Sequence, residues 1–332
     1  MSKKLRGDLM LFTAALIWGA SFVAQKAGME YIGPFTFNVL RFLLGSAVLI
    51  PVIFLMDRLK KQNGESETAE GALTSGTPQI ETGLEVKKDK KTLIAGGLSC
   101  GIALFIGGTL QQFGVMYTSA GKAGFITALY IVLVPLFGLF FRHKVRPVIW
   151  VCVVLAVIGL YLLCVKEGFS IAKGDLLVLA CAFGFASHIL IIDHFSPKTD
   201  GVRLSCLQFL TAGLLSLPGM LLFETVDWGN IVACAEPILY SAVLSCGAAY
   251  TLQILGQRDT EPAVASLLLS LESVFAVIAG IIILKEHISP RELLGCCIMF
   301  AAIILAQLPE KKEKPSAGEK KDPVEAQNNF IA

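Results

Sequence analysis

The chain has 332 residues, of which 55% belong to the set AVILMFWYC and only 16% are charged, against about 25% in soluble domains. Of its 54 Lys, Arg, Asp and Glu residues, 24 fall within 57–91 and 309–332, leaving a nearly charge-free body that has too little polar surface for a soluble fold. The net charge of +2 says little by itself, and with no basic patch interleaved with aromatics nucleic acid is not an expected partner.

Ten apolar runs are long enough to cross about 30 Å of hydrocarbon at 1.5 Å per residue. In chain order they are 8–28, 34–56, 92–116, 120–141, 147–165, 174–193, 203–223, 237–256, 262–284 and 290–308. Each is predicted as a helix, because a lone helix satisfies its own backbone in lipid. The expected fold is an all-α integral membrane protein. Gly33-Pro34, Glu236-Pro237, Glu261-Pro262 and Ser289-Pro290 mark short joins. The first run follows Lys3, Lys4 and Arg6, as a signal peptide would. It is too long for that role, and its internal copy at 174–193 cannot be a signal.

That copy is part of a duplication. Gly7-Asp8-Leu9-Met10 matches Gly174-Asp175-Leu176-Leu177 at an offset of 167, and the register carries Leu40-Arg41-Phe42-Leu43 onto Leu207-Gln208-Phe209-Leu210 and Pro51 onto Pro218. The likeness resumes at Leu98-Ser99-Cys100-Gly101 against Leu244-Ser245-Cys246-Gly247 and ends with Pro147 against Pro290. Residues 1–165 form the first five-helix repeat, 174–308 the second, and 309–332 a tail. Five spans is an odd number, so the second repeat enters from the opposite face. Inverted repeats of this kind are typical of alternating-access transporters, whose two halves exchange conformations.

Lys and Arg set the expected orientation. With the N-terminus inside, the inner segments hold 21 of these residues and the outer segments six, with Arg41 inside a span. The expectation is a multi-pass protein of the cell membrane with both termini cytoplasmic. The outer loop 224–236 has no Lys or Arg and carries Trp228, an interfacial anchor. Residues 62–86 are rich in Glu, Ser, Thr and Gly, and read as a disordered cytoplasmic loop. The tail from Pro309 is also expected to be disordered, with Lys residues placed to meet anionic membrane lipid.

Particular motifs resemble a known family. Leu16-Ile17-Trp18-Gly19-Ala20-Ser21-Phe22, followed by Leu40-Arg41-Phe42, is similar to the first two helices of EamA-type transporters of the drug/metabolite transporter superfamily. Tyr117-Thr118-Ser119-Ala120-Gly121-Lys122-Ala123-Gly124-Phe125 leading to Val134-Pro135-Leu136 resembles the third-to-fourth helix region, and Leu269-Ser270-Leu271-Glu272-Ser273-Val274-Phe275 with Leu284-Lys285-Glu286 the ninth helix. The likeness covers residues 7–308. It implies ten helices in two inverted repeats, movement of small organic solutes, and a central cavity lined mainly by helices 1, 3, 4, 6, 8 and 9. The first repeat departs from the pattern, with Arg142-His143 where the second has Lys285-Glu286.

Polar residues inside the spans are the candidate site. Glu272 lies ten residues beyond Pro262, about 15 Å into the membrane. A lone carboxylate there costs several kcal/mol, so it faces the bundle or is protonated, as a solute or proton site or as a partner of a neighbouring helix. At an offset of 143 its counterpart is Leu129. Arg41 lies about 10 Å from the outer face, with Asn38 one turn above. Its guanidinium suits a solute carboxylate, or a structural pair with Glu272 or backbone carbonyls. His188 replaces Ser21 of the first copy and suits proton relay or packing. Gln111 and Gln112 on the third span and Gln253 and Gln257 on the eighth form a symmetric set of amides, with Gln111 matching Gln253 at an offset of 142. Such amides hold neutral or zwitterionic solutes, or simply bond helix to helix. Trp18, Tyr130 and Tyr250 are candidate flat walls.

The nine Cys contain no CxxC and lie mostly inside spans, as small hydrophobes rather than disulfides or metal ligands. No HExxH, GxSxG or P-loop occurs, so no cofactor, metal or nucleotide is expected and any pumping runs on a gradient. The leading reading is a secondary transporter of a small organic metabolite, amino acid-like or another small solute, with export as one direction. A membrane-embedded lipid enzyme would need clustered carboxylates or a nucleophile–base pair, and a channel would need rings of charge or a filter.

Overall fold

With no water in hydrocarbon to bond the peptide groups, the apolar runs close their own hydrogen bonds as helices. The computed structural model describes residues 2–71, 82–118, 120–140, 145–164, 173–284 and 289–308, with backbone alone at 60–71, 82–89, 120–122, 163–164, 277 and 280–284. The described residues contain no strand. The first repeat comprises α1 (Lys3–Gly28), α2 (Pro34–Gly71), α3 (Thr82–Tyr117), α4 (Ala120–Ala128), α5 (Tyr130–Phe140) and α6 (Pro147–Cys164). The second comprises α7 (Lys173–Phe195), α8 (Gly201–Phe223), the short α9 (Trp228–Ala233), α10 (Ala235–Leu239), a π-helical run Tyr240–Tyr250, α11 (Thr251–Gln257), α12 (Pro262–Leu269), α13 (Glu272–Leu284) and α14 (Pro290–Gln307). Among the described residues, eight helical stretches are long and apolar enough to span a membrane. Two shorter ones, Pro147–Leu162 and Pro262–Ala276, complete ten.

The outside of the bundle is apolar: Phe140 is 85% exposed and Leu222 74%. That is the surface lipid covers, and it leaves the polar groups inside. The halves interleave rather than standing apart. α3 lies against α7 and α8, α2 against α8, and α6 against α14. Phe42 and its repeat mate Phe209 stack on each other, centroids 6.2 Å apart and planes within 8°, as two residues on a twofold axis would.

Three features differ from the sequence expectation. Residues 62–86 are not structureless throughout, since α2 runs on to Gly71 and α3 begins at Thr82. Residues 62–71 include Gln, Glu and Ala, strong helix formers that prolong α2 beyond its apolar part. Residues 72–81 and the tail 309–332 lie outside the described residues. Second, the fourth and ninth spans are each broken in the middle. Leu129 separates α4 from α5, and Ser270-Leu271 separates α12 from α13. Both breaks tighten to three-residue hydrogen bonds, Leu129 N to Ile126 O at 3.2 Å and Leu271 N to Leu268 O at 3.2 Å. Such a turn inside a helix often marks a hinge. At the second break Ser266 and Ser270 bond back to the carbonyls of Ala263 and Leu267, which weakens the helical ladder there. Third, the eighth span is π-helical from Tyr240 to Tyr250.

Candidate functional site

The two broken helices cross at their breaks. Tyr130 opens α5 and Glu272 opens α13, and the Tyr130 hydroxyl donates to Glu272 Oε1 at 3.2 Å. The two are 142 residues apart, the offset that also pairs Gln111 with Gln253. Tyr130 is therefore the repeat mate of Glu272, in place of Leu129. Both side chains are buried, at 4% and 5% exposure.

They border a narrow central cavity that is partly open to the outside. Its walls come from both repeats in matched pairs. Trp18 matches Phe185, Ser21 His188, and Phe22 Ile189 at the offset of 167; Gln111 matches Gln253, Thr127 Leu269, and Tyr130 Glu272 at 142. Gln25, Arg41, Ser245 and Tyr250 complete the lining. On α1 the contributors fall at positions 18, 21, 22 and 25, one face of a helix.

The polar groups are organised in short chains. Gln25 Nε2 donates to Ser21 Oγ at 3.3 Å, and Arg41 Nη1 donates to Gln25 Oε1 at 3.1 Å. The Arg41 guanidinium also lies 4.5 Å over the ring of Phe42. In the second repeat, His188 Nε2 and Gln208 Oε1 are 2.9 Å apart, so the imidazole donates. Gln111 Nε2 donates to Thr127 Oγ1 at 3.2 Å. Trp18 and Tyr250 meet edge to face at 4.6 Å, and Tyr250 also meets Phe209 at 5.7 Å. Among the described residues Trp18 Nε1 and Gln253 Oε1 are buried without a partner, so a solute or water in the cavity is an available hydrogen-bond partner.

Of the sequence candidates, the structure brings Trp18, Arg41, Gln111, Tyr130, His188, Tyr250, Gln253 and Glu272 to this one cavity. Gln112 is not in its lining. It is fully buried, and its Nε2 donates to the Gln25 carbonyl at 3.4 Å. Gln257 makes a similar bond to the Ile189 carbonyl at 3.0 Å, so these two amides tie helices together. The expected pairing of Arg41 with Glu272 or with backbone carbonyls is corrected, because Arg41 bonds a Gln25 side chain and Glu272 bonds Tyr130. Asn38, one turn from Arg41, donates instead to Thr109 at 3.3 Å. Gln25, Thr127 and Ser245 were missed. Gln25 was legible from its helical spacing to Trp18 and Ser21; nothing in the sequence marks Ser245.

A duplicated, all-helical membrane bundle that encloses a polar cavity at the crossing of two broken helices is the architecture of a membrane transporter. The chain belongs to the EamA-like transporter family, whose model matches residues 5–165 and again 172–308. It is 30% identical over 312 residues to an uncharacterized transporter of Archaeoglobus fulgidus, covering 92% of this chain and 87% of that one. The uncharacterized transporter YetK of Bacillus subtilis is 26% identical over 327 residues, covering 96% and 91%. The threonine/homoserine exporter RhtA of Escherichia coli strain K12 is 30% identical over 174 residues, 51% of this chain and 57% of that protein. A solved protein crystal structure superposes with a TM-score of 0.69 at 18% identity, covering 91% of this chain and 96% of the other, a likeness of fold.

Proposed function

We propose that this transporter carries a small organic metabolite out of the cell, that the central cavity is its solute site, and that Glu272 couples movement to a proton gradient. Both termini are cytoplasmic in this reading, which rests on the 21-to-six distribution of Lys and Arg. The name of RhtA supports export and an amino acid-like solute. The repeats 1–165 and 174–308 exchange conformations, so that the cavity opens to each side in turn.

The observation that carries the proposal is the meeting of Tyr130 and Glu272 at two equivalent helix breaks beside the cavity. A hinge in each repeat lets the half-helices on either side swing, and the carboxyl group sits where the two hinges touch. The hydroxyl bond from Tyr130 is available to the carboxylate, whereas a protonated or solute-bound Glu272 can release it. Proton binding and hinge movement thereby act on the same contact.

The test uses the full chain in sealed vesicles with an imposed pH gradient and labelled mixtures of amino acids, nucleobases and sugars. The wild type accumulates a solute against its gradient. Glu272→Gln keeps the size and most hydrogen bonds but cannot titrate, so it should retain exchange and lose gradient-driven accumulation. Normal accumulation by that variant removes the coupling role. A variant with normal solute affinity as well removes Glu272 from the site.

A further inference from the structure

A buried guanidinium needs an anion. Arg41 is 4% exposed and stays charged at any working pH. Its Nη1 is spent on the neutral oxygen of Gln25, and among the described residues its Nε is buried without a partner and Nη2 has no hydrogen bond. Among the described residues no carboxylate lies within ion-pair distance of it. Removing a charge from water without an opposite one costs several kcal/mol, and here the missing charge has room to arrive, because Arg41 lines the cavity.

The second repeat shows that this cation is a departure from the shared plan. The mate of Arg41 is the neutral Gln208, already bonded to His188. The mate of Tyr250 at the offset of 142 is Gly108, and a Cβ at Gly108 would stand 3.0 Å from Arg41 Nη2. One repeat therefore leaves space for a guanidinium where the other places the Tyr250 ring against Phe209. The opposite departure occurs at the hinge, where the second repeat has Glu272 and the first has Tyr130. The cavity thus has a cation contributed by one repeat and a carboxyl group by the other, and they are not paired with each other.

We propose, on the transporter reading above, that Arg41 and Gln25 anchor the carboxylate of the solute, and that the solute is a small zwitterion of the α-amino acid class whose ammonium faces Glu272. Nε and Nη2, neither bonded to a described residue, form the edge that a carboxylate takes in two parallel bonds once the cavity widens to reach it. Gln25 holds the guanidinium from its other side and orients that edge. The guanidinium carbon lies over the Phe42 ring at 4.5 Å, a contact that holds the group in place without supplying the missing negative charge.

The test compares two mixtures on the purified full chain: the common amino acids and their α-amides at equal concentration, read as shifts in the thermal unfolding midpoint. The amino acids should raise the midpoint and the amides should not. Arg41→Gln should abolish the shift, and Arg41→Lys should weaken binding about ten- to a hundredfold. Gln25→Glu supplies an internal carboxylate at the anchor, so it should fold at least as well as wild type and lose the amino-acid shift. That variant keeps the proposal testable if Arg41→Gln does not fold. Equal stabilisation by amides, a full shift in Gln25→Glu, or no shift with amino acids overturns the anchor. Vesicle exchange of sugars, nucleosides or amines by the wild type, with that failure, leaves the transporter reading standing; no exchange of any solute fells both.

Discussion

Gly7 packs on Gly256 and Gly174 on Gly114, with a Cβ at any of them falling 2.8–3.0 Å from the opposite carbonyl oxygen. The first pair joins α1 to α11 near the N-terminal end; the second joins α7 to α3 at the other end, each residue replaced by its repeat mate. Polar contacts repeat in the same way. Thr260 donates to Asp8 at 3.1 Å, and Thr118 donates to Asp175 at 2.8 Å. Asp57 meets Arg203, and their mates Glu224 and Thr36 also meet. The two repeats therefore share their helix-to-helix contacts and differ in what they place on the cavity wall. Shared contacts can be exchanged without rebuilding the bundle, as alternating access requires. The wall residues Arg41, Tyr130, His188 and Glu272 are not exchanged, and they give the cavity a polarity that a symmetric dimer of repeats would lack.

The glycine contacts offer the strongest test of this equivalence. Gly114→Leu and Gly256→Leu each drive a side chain into a facing backbone, and overpacking of this kind costs about 1–3 kcal/mol or more. Both should lower the yield of folded protein and its unfolding midpoint in detergent by similar amounts. A large loss from one and none from the other would break the equivalence. The next contrast separates matched contacts of different strength. Glu224 accepts from Phe35 N at 2.8 Å, Thr36 N at 2.7 Å and Thr36 Oγ1 at 2.7 Å, and so caps the N-terminus of α2. Glu224→Ala should cost about 0.5–2 kcal/mol, as loss of a helix cap does. Its mate Asp57 makes a bond of 2.7 Å to Arg203 with both side chains 44% exposed, so Asp57→Ala should cost at most about 1 kcal/mol. Denaturation midpoints of the two variants should rank accordingly, and the reverse order would show that the repeat mates do not carry the loads their geometry assigns.

The ten spans and the duplication were legible because hydropathy and residue identity act over long windows. The hinges were not, since neither Leu129 nor Ser270-Leu271 contains Gly or Pro, the residues that ordinarily announce a break. Their position follows from paired tertiary contacts instead. The same gap hid the partner of Glu272: an offset of 143 points to Leu129, while the neighbouring 142 points to Tyr130, and the hydrogen bond selects the second. Arg41 was legible as a costly charge at depth, but its partner was not, because any polar side chain on a facing helix would serve. Lys26, in the last turn of α1, reaches the Val115 carbonyl at 2.8 Å and the Thr118 carbonyl at 3.3 Å, and so closes the end of α3. Composition misjudged the helical ends of 62–86, since Glu and Lys favour both helix and solvent.

The smallest expected effect is the one that speaks most directly to mechanism. Thr260–Asp8 and Thr118–Asp175 are equivalent bonds at opposite ends of the bundle, so each ties together the helices at its own end. Thr260→Val and Thr118→Val preserve shape and remove the donor, at about 1 kcal/mol each, roughly a fivefold change in the balance of two states. A single Cys at Ser21, on the cavity wall, in an otherwise Cys-free chain reports the balance by its labelling rate in sealed vesicles. Impermeant reagent on the side facing the N-terminal end should react about fivefold faster in Thr260→Val, and reagent on the other side about fivefold faster in Thr118→Val. The N-terminal end carries further ties, Arg6 to Asp259 at 3.9 Å and Arg146 to Glu261 at 3.7 Å. Raising the salt should therefore increase labelling from that side in both variants, because exposed ion pairs are screened. If both substitutions moved labelling in the same direction, the two bonds would be general fastenings of the bundle rather than opposed latches, and the contact-for-contact equivalence of the repeats would describe packing alone.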